Sequence, residues 1–288
     1  MNYFELKEIL VKQFEDAGIS EMSDIDWIMV EVTKIKRSML PLAGNFSNTQ
    51  IEEILEAGRK RAEHIPIGLI FGRTEFYGRE FKVSNDTLIP RLDTEILIDE
   101  FLKETKNTID FYKVNKESFS NYKPSILDIG TGSGAIAITL KKETNFDVYA
   151  IDISQKALEK AKENAKLNDA DITFIQSDLF ENIDNLKVDF IVSNPPYIKS
   201  DVVLTLEREV KDNEPILALD GGEDGLDFYR KITTEAKNHL NQNGMLFFEI
   251  GYDQADAVVD LMKANFDDIK VVKDYGGNDR VVYGKLRS

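Results

Sequence analysis

The apolar run 188–193 stops on Asn194-Pro195-Pro196-Tyr197. Two consecutive prolines cannot continue a strand, because proline donates no backbone hydrogen bond and fixes its own φ. The side-chain oxygen of Asn194 and the carbonyl of Pro195 are acceptors, and the stiffness of Pro195-Pro196 fixes their directions before substrate arrives. Two fixed acceptors form a clamp for an NH₂ group, and Tyr197 adds a flat face for a planar amide or base. The nitrogen of such a group is a poor nucleophile, since its lone pair is delocalised. Acceptors bonded to its hydrogens free that lone pair and stabilise the positive charge growing on nitrogen. The matching electrophile is the methyl sulfonium of S-adenosylmethionine, attacked in line, with no covalent intermediate and no metal required. Near-attack alignment alone contributes roughly 7–11 kcal/mol in favourable cases.

A second constellation supplies a place for that donor. Asp128-Ile129-Gly130-Thr131-Gly132-Ser133-Gly134 lies where an apolar strand meets a helix. Glycines there let a ligand approach the backbone, and a helix N-terminus offers unpaired amides. Asp152 closes the next strand, placed to accept both hydroxyls of a ribose. Asp178 follows a third strand and could accept from an adenine amino group, with Leu179 and Phe180 as the apolar wall. Taken alone, Gly130, Gly132 and Ala135 also satisfy a dinucleotide fingerprint, and a tight turn without ligand is a further reading. Asp152, Asp178 and the NPPY segment at successive strand ends favour methyl transfer.

These groups need a scaffold. Residues 1–72 show helical periodicity: Phe4, Leu6, Ile9, Leu10 and Phe14 suit one apolar face, with Gly18 as a stop. Ser23 and then Ser47 or Asn48 precede two further helices. A small N-terminal helical bundle is expected here, either packing for stability alone or serving as a substrate-recognition domain. Residues 73–90 form a β-hairpin linker, with Gly78 at the turn. Residues 91–288 alternate strand and helix after a polar, irregular connection at 103–123. Strands are expected at Ser125–Ile129, Asp147–Ile151, Ile172–Gln176, Val188–Val192, Met245–Ile250, Ile269–Lys273 and Arg280–Lys285. Repeated β-α-β units imply an α/β, Rossmann-like, mostly parallel sheet, and the closing pair implies an antiparallel terminal strand.

Composition excludes several classes. The 288 residues contain no cysteine, so disulfides and thiolate chemistry are absent. The apolar runs are too short to span a bilayer, no signal peptide is expected, and a cytoplasmic monomer fits. With 36 Lys+Arg against 52 Asp+Glu the net charge is −16. Such a balance disfavours direct binding of naked nucleic acid, where phosphate contacts dominate affinity. A protein or small-molecule partner is expected.

On these residues the sequence resembles the HemK/PrmC family of protein-(glutamine-N5) methyltransferases acting on peptide chain release factors. Leu88-Ile89-Pro90-Arg91-Leu92-Asp93-Thr94-Glu95 is similar to the family's approach to the catalytic domain, with Leu92 where proline is frequent. Leu127–Gly134 is similar to its cofactor loop and Ser193–Tyr197 to its S-N-P-P-Y. The resemblance continues through Glu214-Pro215, Ala218–Gly225, Glu75–Gly78 and Asp279–Val282. It implies a class I methyltransferase domain, with S-adenosylmethionine contacts from Gly130, Thr131, Gly132, Ser133, Gly134, Asp152, Leu179 and Asn194. Some members carry tryptophan at the position of Leu179. It further implies that Asn194–Tyr197 hold the glutamine of a Gly-Gly-Gln loop while the helical domain grips the release factor.

Two other functions stay open at this level. One is an N6-adenine or other nucleic-acid methyltransferase, whose flipped base would offer a similar NH₂. The other is a module that binds the cofactor without turnover. Arg91 and Glu95 either pair with each other or line the site. Asp220–Gly225 is read as a turn demanding glycine, and His64 and His239 as packing or surface residues.

Overall fold

The structure, a computed structural model, describes residues 1–115 and 123–287. It divides into two compact units. The first comprises Met1–Arg73 together with Glu207–Asn213, and the second Thr74–Leu206 with Glu214–Ser288.

In the first unit the helices are Tyr3–Ala17, Ser23–Thr33, Asn48–Ala62 and Ile67–Phe71. Their starts are written locally. Asn2 and Glu5 form a reciprocal capping box, as do Ser47 and Gln50. Gly18 ends the first helix in the left-handed conformation. The buried stripe of that helix is Tyr3, Leu6, Leu10 and Phe14, at helical spacing. Phe4 and Ile9, expected on the same face, are exposed, because they lie a rotation away from that stripe. Helices one and three approach closely at Gly58, where a β-carbon would fall 2.3 Å from Leu10 Cδ2. The returning segment 207–213 joins this unit through Glu209, whose carboxylate meets the buried guanidinium of Arg61 at 2.8 Å. Asn213 Nδ2 also donates to the carbonyl of His64 at 3.0 Å.

The second unit opens with the hairpin β1 (Arg73–Phe76) and β2 (Arg79–Lys82). Tyr77 and Gly78 both take positive φ at its tip, the backbone of a two-residue hairpin turn. After the helix Glu95–Glu104, a further helix, Lys106–Asn115, stands within the stretch read as irregular. Its Ile109 is buried; residues 116–122 of that stretch lie outside the described residues.

The main sheet contains β3 (Ser125–Ile129), β4 (Asp147–Asp152), β5 (Thr173–Gln176), β6 (Val188–Ser193), β7 (Leu240–Glu249), β8 (Phe266–Lys273) and β9 (Asp279–Leu286). Their order is β5-β4-β3-β6-β7-β9-β8. The first five run parallel, and β9 lies antiparallel to both β7 and β8. Helices Ala135–Thr144, Gln155–Leu167, Asp227–His239 and Ala255–Met262 complete the α/β pattern. Two apolar layers cover the sheet: one gathers Phe101, Ile138, Phe146 and Phe190, the other Leu127, Ile191, Tyr229, Leu246 and Phe248. The parallel strands read as continuous apolar runs because both faces are buried. Strand β7 starts at Leu240, earlier than its apolar run suggests, and its pairing with β6 shifts register between Val188 and Phe190. From β3 the chain first builds outward through β4 and β5, then β6 returns to the other side of β3. The C-terminal ends at that switch point are where such sheets hold ligands.

Candidate active site

A cavity of about 300 Å³ lies at the ends of β3, β4 and β6. Gly130, Thr131, Gly132, Ser133, Asp152, Asp178, Leu179, Asn194, Pro195 and Pro196 all line it. Gly134 and Tyr197 do not.

The glycine loop is pinned from beneath. The amides of Gly130 and Thr131 both donate to the Ile151 carbonyl at 2.9 Å. The amide of Gly132 donates to Asp152 Oδ2 at 2.9 Å, and Thr131 Oγ1 donates to Asp128 Oδ2 at 2.6 Å. Gly130 and Gly132 have positive φ, and the space a β-carbon would occupy is open at both. Their backbone is therefore available to a ligand. Gly134 serves packing instead. A β-carbon there would meet Ile138 Cδ1 at 3.0 Å and Ala161 Cβ at 3.1 Å, so glycine lets the helices Ala135–Thr144 and Gln155–Leu167 approach. The buried amide of Asn164 ties this corner together: it donates to the carbonyls of Ser133 and Lys82, both at 2.9 Å, and accepts from the Lys82 amide at 2.7 Å.

Asp152 Oδ1 accepts from the Ser154 amide at 2.8 Å. Each of its oxygens thus has one backbone partner and one lone pair to spare. Burial raises its pKa, and the two amides pull the other way. Asp128, beneath the loop, is fully buried, and burial pushes its carboxyl up to about 7. Leu179 is held at φ 49, an unfavourable region for a branched residue. Ser177 stabilises that turn, donating to the Leu179 carbonyl at 2.7 Å and accepting from the Asn182 amide at 3.0 Å. Phe180 is not a cavity wall: it is buried and stacks on His239 with centroids 4.5 Å apart. His239 Nδ1 in turn lies 3.0 Å from the Leu186 carbonyl, a packing role.

The NPPY segment leaves β6 beside the loop. Ser193 Oγ donates to the Ile129 carbonyl at 2.8 Å, joining the two strand ends. Asn194 Nδ2 donates to Thr94 Oγ1 at 3.3 Å. Since the carboxamide is planar, its Oδ1 is turned away from Thr94 as the remaining acceptor. Tyr197 is half-buried behind the cavity rather than forming its face, and burial pushes its hydroxyl up to about 12. Its carbonyl accepts from Gln254 Nε2 at 2.9 Å. Ile198 pairs with the strand-like segment at Asp220, through Ile198 N to Leu219 O at 3.0 Å and Gly221 N to Ile198 O at 2.8 Å. A β-carbon on Gly221 would sit 2.8 Å from Pro196 O, and one on Gly225 2.4 Å from Tyr197 O. Gly221 and Gly225 of the 220–225 turn are thus required by their approach to NPPY.

Arg91 and Glu95 do not pair. Arg91 grips both oxygens of Glu214, at 2.6 and 2.7 Å, and lines the cavity. Glu95 accepts from the Tyr77 amide at 2.7 Å. Sequence reading missed Thr94, Phe228 and Lys231 as cavity residues. Phe228 and Lys231 were legible in principle, since they stand one turn apart on the helix that follows Gly225.

Open glycine backbone, acidic acceptors at two successive strand ends and the apolar side chains of Leu179 and Ile153 fit a nucleoside with free ribose hydroxyls.

Residues 114–223 match the Methyltransferase small domain. A release factor glutamine methyltransferase from Fusobacterium nucleatum is 40% identical over 271 residues, which span 91% of this chain and 72% of the relative. One from Agrobacterium fabrum is 40% identical over 278 residues, spanning 94% and 93%. A crystal structure of a methyltransferase from Pyrococcus furiosus superimposes with a TM-score of 0.52 at 19% identity, covering 73% of this chain and 90% of that one. At that identity the likeness is one of fold, and the fold is that of a methyltransferase.

Proposed function

The chain belongs to the family of release factor glutamine methyltransferases, and from that premise we propose that it methylates the side-chain nitrogen, N5, of the glutamine in the Gly-Gly-Gln loop of a peptide chain release factor. The observation that carries the reading is the orientation of Asn194. Its NH₂ is committed to Thr94, so its oxygen is the acceptor available to a substrate NH₂ in the cavity.

S-adenosylmethionine, when bound, supplies an electrophilic methyl group on a sulfonium sulfur. Gly130–Ser133 would hold it through their open backbone, Asp152 through the ribose hydroxyls, and Asp178 and Leu179 around the base. Asn194 Oδ1 and the Pro195 carbonyl then take hydrogen bonds from the substrate amide and set its nitrogen toward the donor. Because their directions are fixed by the two prolines and by Thr94, little reorganisation is left for the reaction itself. Gln254, Gly221 and Gly225 hold the segment from behind. The helical unit is the part assigned to the release factor, whose recognition needs a protein surface and no basic stripe.

The test is methyl transfer from labelled S-adenosylmethionine to purified release factor, with the loop glutamine intact or replaced by alanine, and with DNA and RNA alongside. Label on the intact factor alone supports the reading. Label on nucleic acid would keep the fold and the clamp but overturn the acceptor. Among the described residues no helix is long and apolar enough to cross a membrane.

A further inference from the structure

Asn194 has a neighbour that the reaction as described does not use. Glu249 is the last residue of β7 and only 2% exposed. Ser193 pairs with Phe248, so the next residue on each strand, Asn194 and Glu249, leave adjacent strand ends together. Thr94 and Asn194 lie beside the Glu249 carboxyl and favour its ionised form, while its Oε2 has no hydrogen-bond partner. A buried carboxylate with an unpartnered oxygen is costly, and an aliphatic side chain would pack there without that penalty.

Donor and acceptor logic gives the carboxylate a task. An ionised carboxylate only accepts, so the hydrogen of the Thr94 hydroxyl is drawn toward Glu249. The Thr94 oxygen is then left to accept from Asn194 Nδ2 at 3.3 Å, and Asn194 itself lies beside Glu249. The Asn194 NH₂ is thereby drawn inward. Without this acceptor nothing prevents the carboxamide from turning over and opposing its NH₂ to the NH₂ of a substrate.

We propose that Glu249 is a positioning residue which, through the hydroxyl of Thr94, fixes the direction in which the Asn194 carboxamide faces. The inference rests on the clamp described above, and it holds for any acceptor that presents an NH₂. It also makes the clamp sensitive to pH. Burial, the largest influence, pushes the Glu249 carboxyl up to about 7, while Thr94, Arg280 and Asn194 pull it down. Every charged or titratable group facing it enters this balance. Arg280 on β9 is shared with Asp93 and Asp274, each at 3.1 Å, and Asp93 opposes ionisation of Glu249. The phenols of Tyr197 and Tyr229 also face it, and the Tyr229 hydroxyl donates to the Glu249 backbone carbonyl at 2.9 Å. Below about pH 7 the protonated carboxyl becomes a donor toward Thr94, the hydroxyl hydrogen turns toward Asn194, and the bias on the carboxamide is lost.

Two readouts test this. In protein labelled at asparagine side chains, the Asn194 NH₂ resonances, identified by their absence in Asn194→Ala, should shift with an apparent pKa near 7. In Glu249→Gln that titration should vanish. In turnover, wild-type kcat should fall on the acid side through the same pH. Glu249→Gln should remove that limb and lower the plateau by about tenfold, the scale of one hydrogen bond, with KM for S-adenosylmethionine changed less than about threefold. Thr94→Val should lower kcat similarly and Thr94→Ser should restore it, which keeps the proposal testable if Glu249→Gln does not fold. Titration of Asn194 that persists in Glu249→Gln, or equal turnover of Thr94→Val and wild type, would overturn the proposal. Wild-type transfer to nucleic acid rather than release factor would overturn only the acceptor assignment, since the resonance experiment needs no acceptor.

Discussion

The loop at one end of the cavity is shaped mostly by side chains from nearby in the chain: Asp128 reaches Thr131 three residues on, Asp152 reaches Ser154 two residues on, Gly132 lies 20 residues from Asp152, and Asn164 reaches Ser133 across 31. The other end is held from afar. Gln254 meets the Tyr197 carbonyl across 57 residues and Thr94 meets Asn194 across 100. The first end presents open backbone over which a ligand can lie. The second presents side-chain and carbonyl acceptors whose directions depend on three separate elements arriving together. On the proposed reading, holding a cofactor tolerates local design, whereas orienting a reacting nitrogen draws on the assembled sheet.

That contrast can be broken by experiment. Asn194→Ala should lower kcat by about 100-fold or more, the scale of removing one preorganised group. Its Kd for S-adenosylmethionine, measured by calorimetry, should stay within about threefold. Equal losses in both would erase the distinction between the ends. Gly225→Ala should act next most strongly. Its new β-carbon collides with the Tyr197 carbonyl at a backbone φ of 77, so we expect roughly tenfold lower kcat and destabilisation of about 1–3 kcal/mol in a melt. Gly130→Ala, with open space at its β-carbon but a backbone φ of 71, should strain the loop, weaken cofactor binding and leave kcat at saturation nearly unchanged.

Asp152→Asn sharpens the comparison from the other side. It should raise KM for S-adenosylmethionine by about tenfold while kcat at saturating cofactor changes little. The smallest effect concerns Asp128. The folded protein holds its proton more tightly than the unfolded chain, burial pushing the carboxyl from its ordinary 3.8 up to about 7. Its contribution to stability is therefore full below pH 3.8 and is lost as pH rises through about 7. Asp128→Asn should flatten that part of the stability–pH curve, so the difference in Tm between variant and wild type moves in the variant's favour between pH 4 and 8. A constant difference across that range would show that Asp128 does not titrate there.

The same contrast explains what could be read without coordinates. That the glycine loop, Asp152, Asp178 and Asn194 gather at one cavity was legible because strand-ending motifs carry their geometry in adjacent residues. The parallel sheet followed from apolar runs separated by helices. The packing of Gly134 was not legible because glycine's two uses, ligand approach and helix packing, look identical in sequence, and only Ala161 on the next helix reveals the second. That Tyr197 would not line the cavity was not legible, because the anchor for its carbonyl, Gln254, lies on a turn with no motif of its own. Thr94 and Glu249 escaped notice for a like reason. A threonine before a helix reads as a capping residue and a glutamate at a strand end as a surface charge, until β6 and β7 bring them to Asn194. The Arg91–Glu95 pairing failed because helical spacing made Glu95 convenient, whereas the buried Glu214, 123 residues away, offered both oxygens.

The segment 207–213 has a bearing on how such a molecule can be inherited. The helical unit is written in two places in the chain, 1–73 and 207–213. A recombination event that exchanged only the N-terminal piece would bring in a foreign bundle and retain the old Glu209 and Asn213, with neither Arg61 nor the His64 carbonyl assured to them. The two stretches must therefore change in step, so lineages that diverge in the bundle should carry matched divergence in seven residues far downstream, inside what otherwise reads as the catalytic domain.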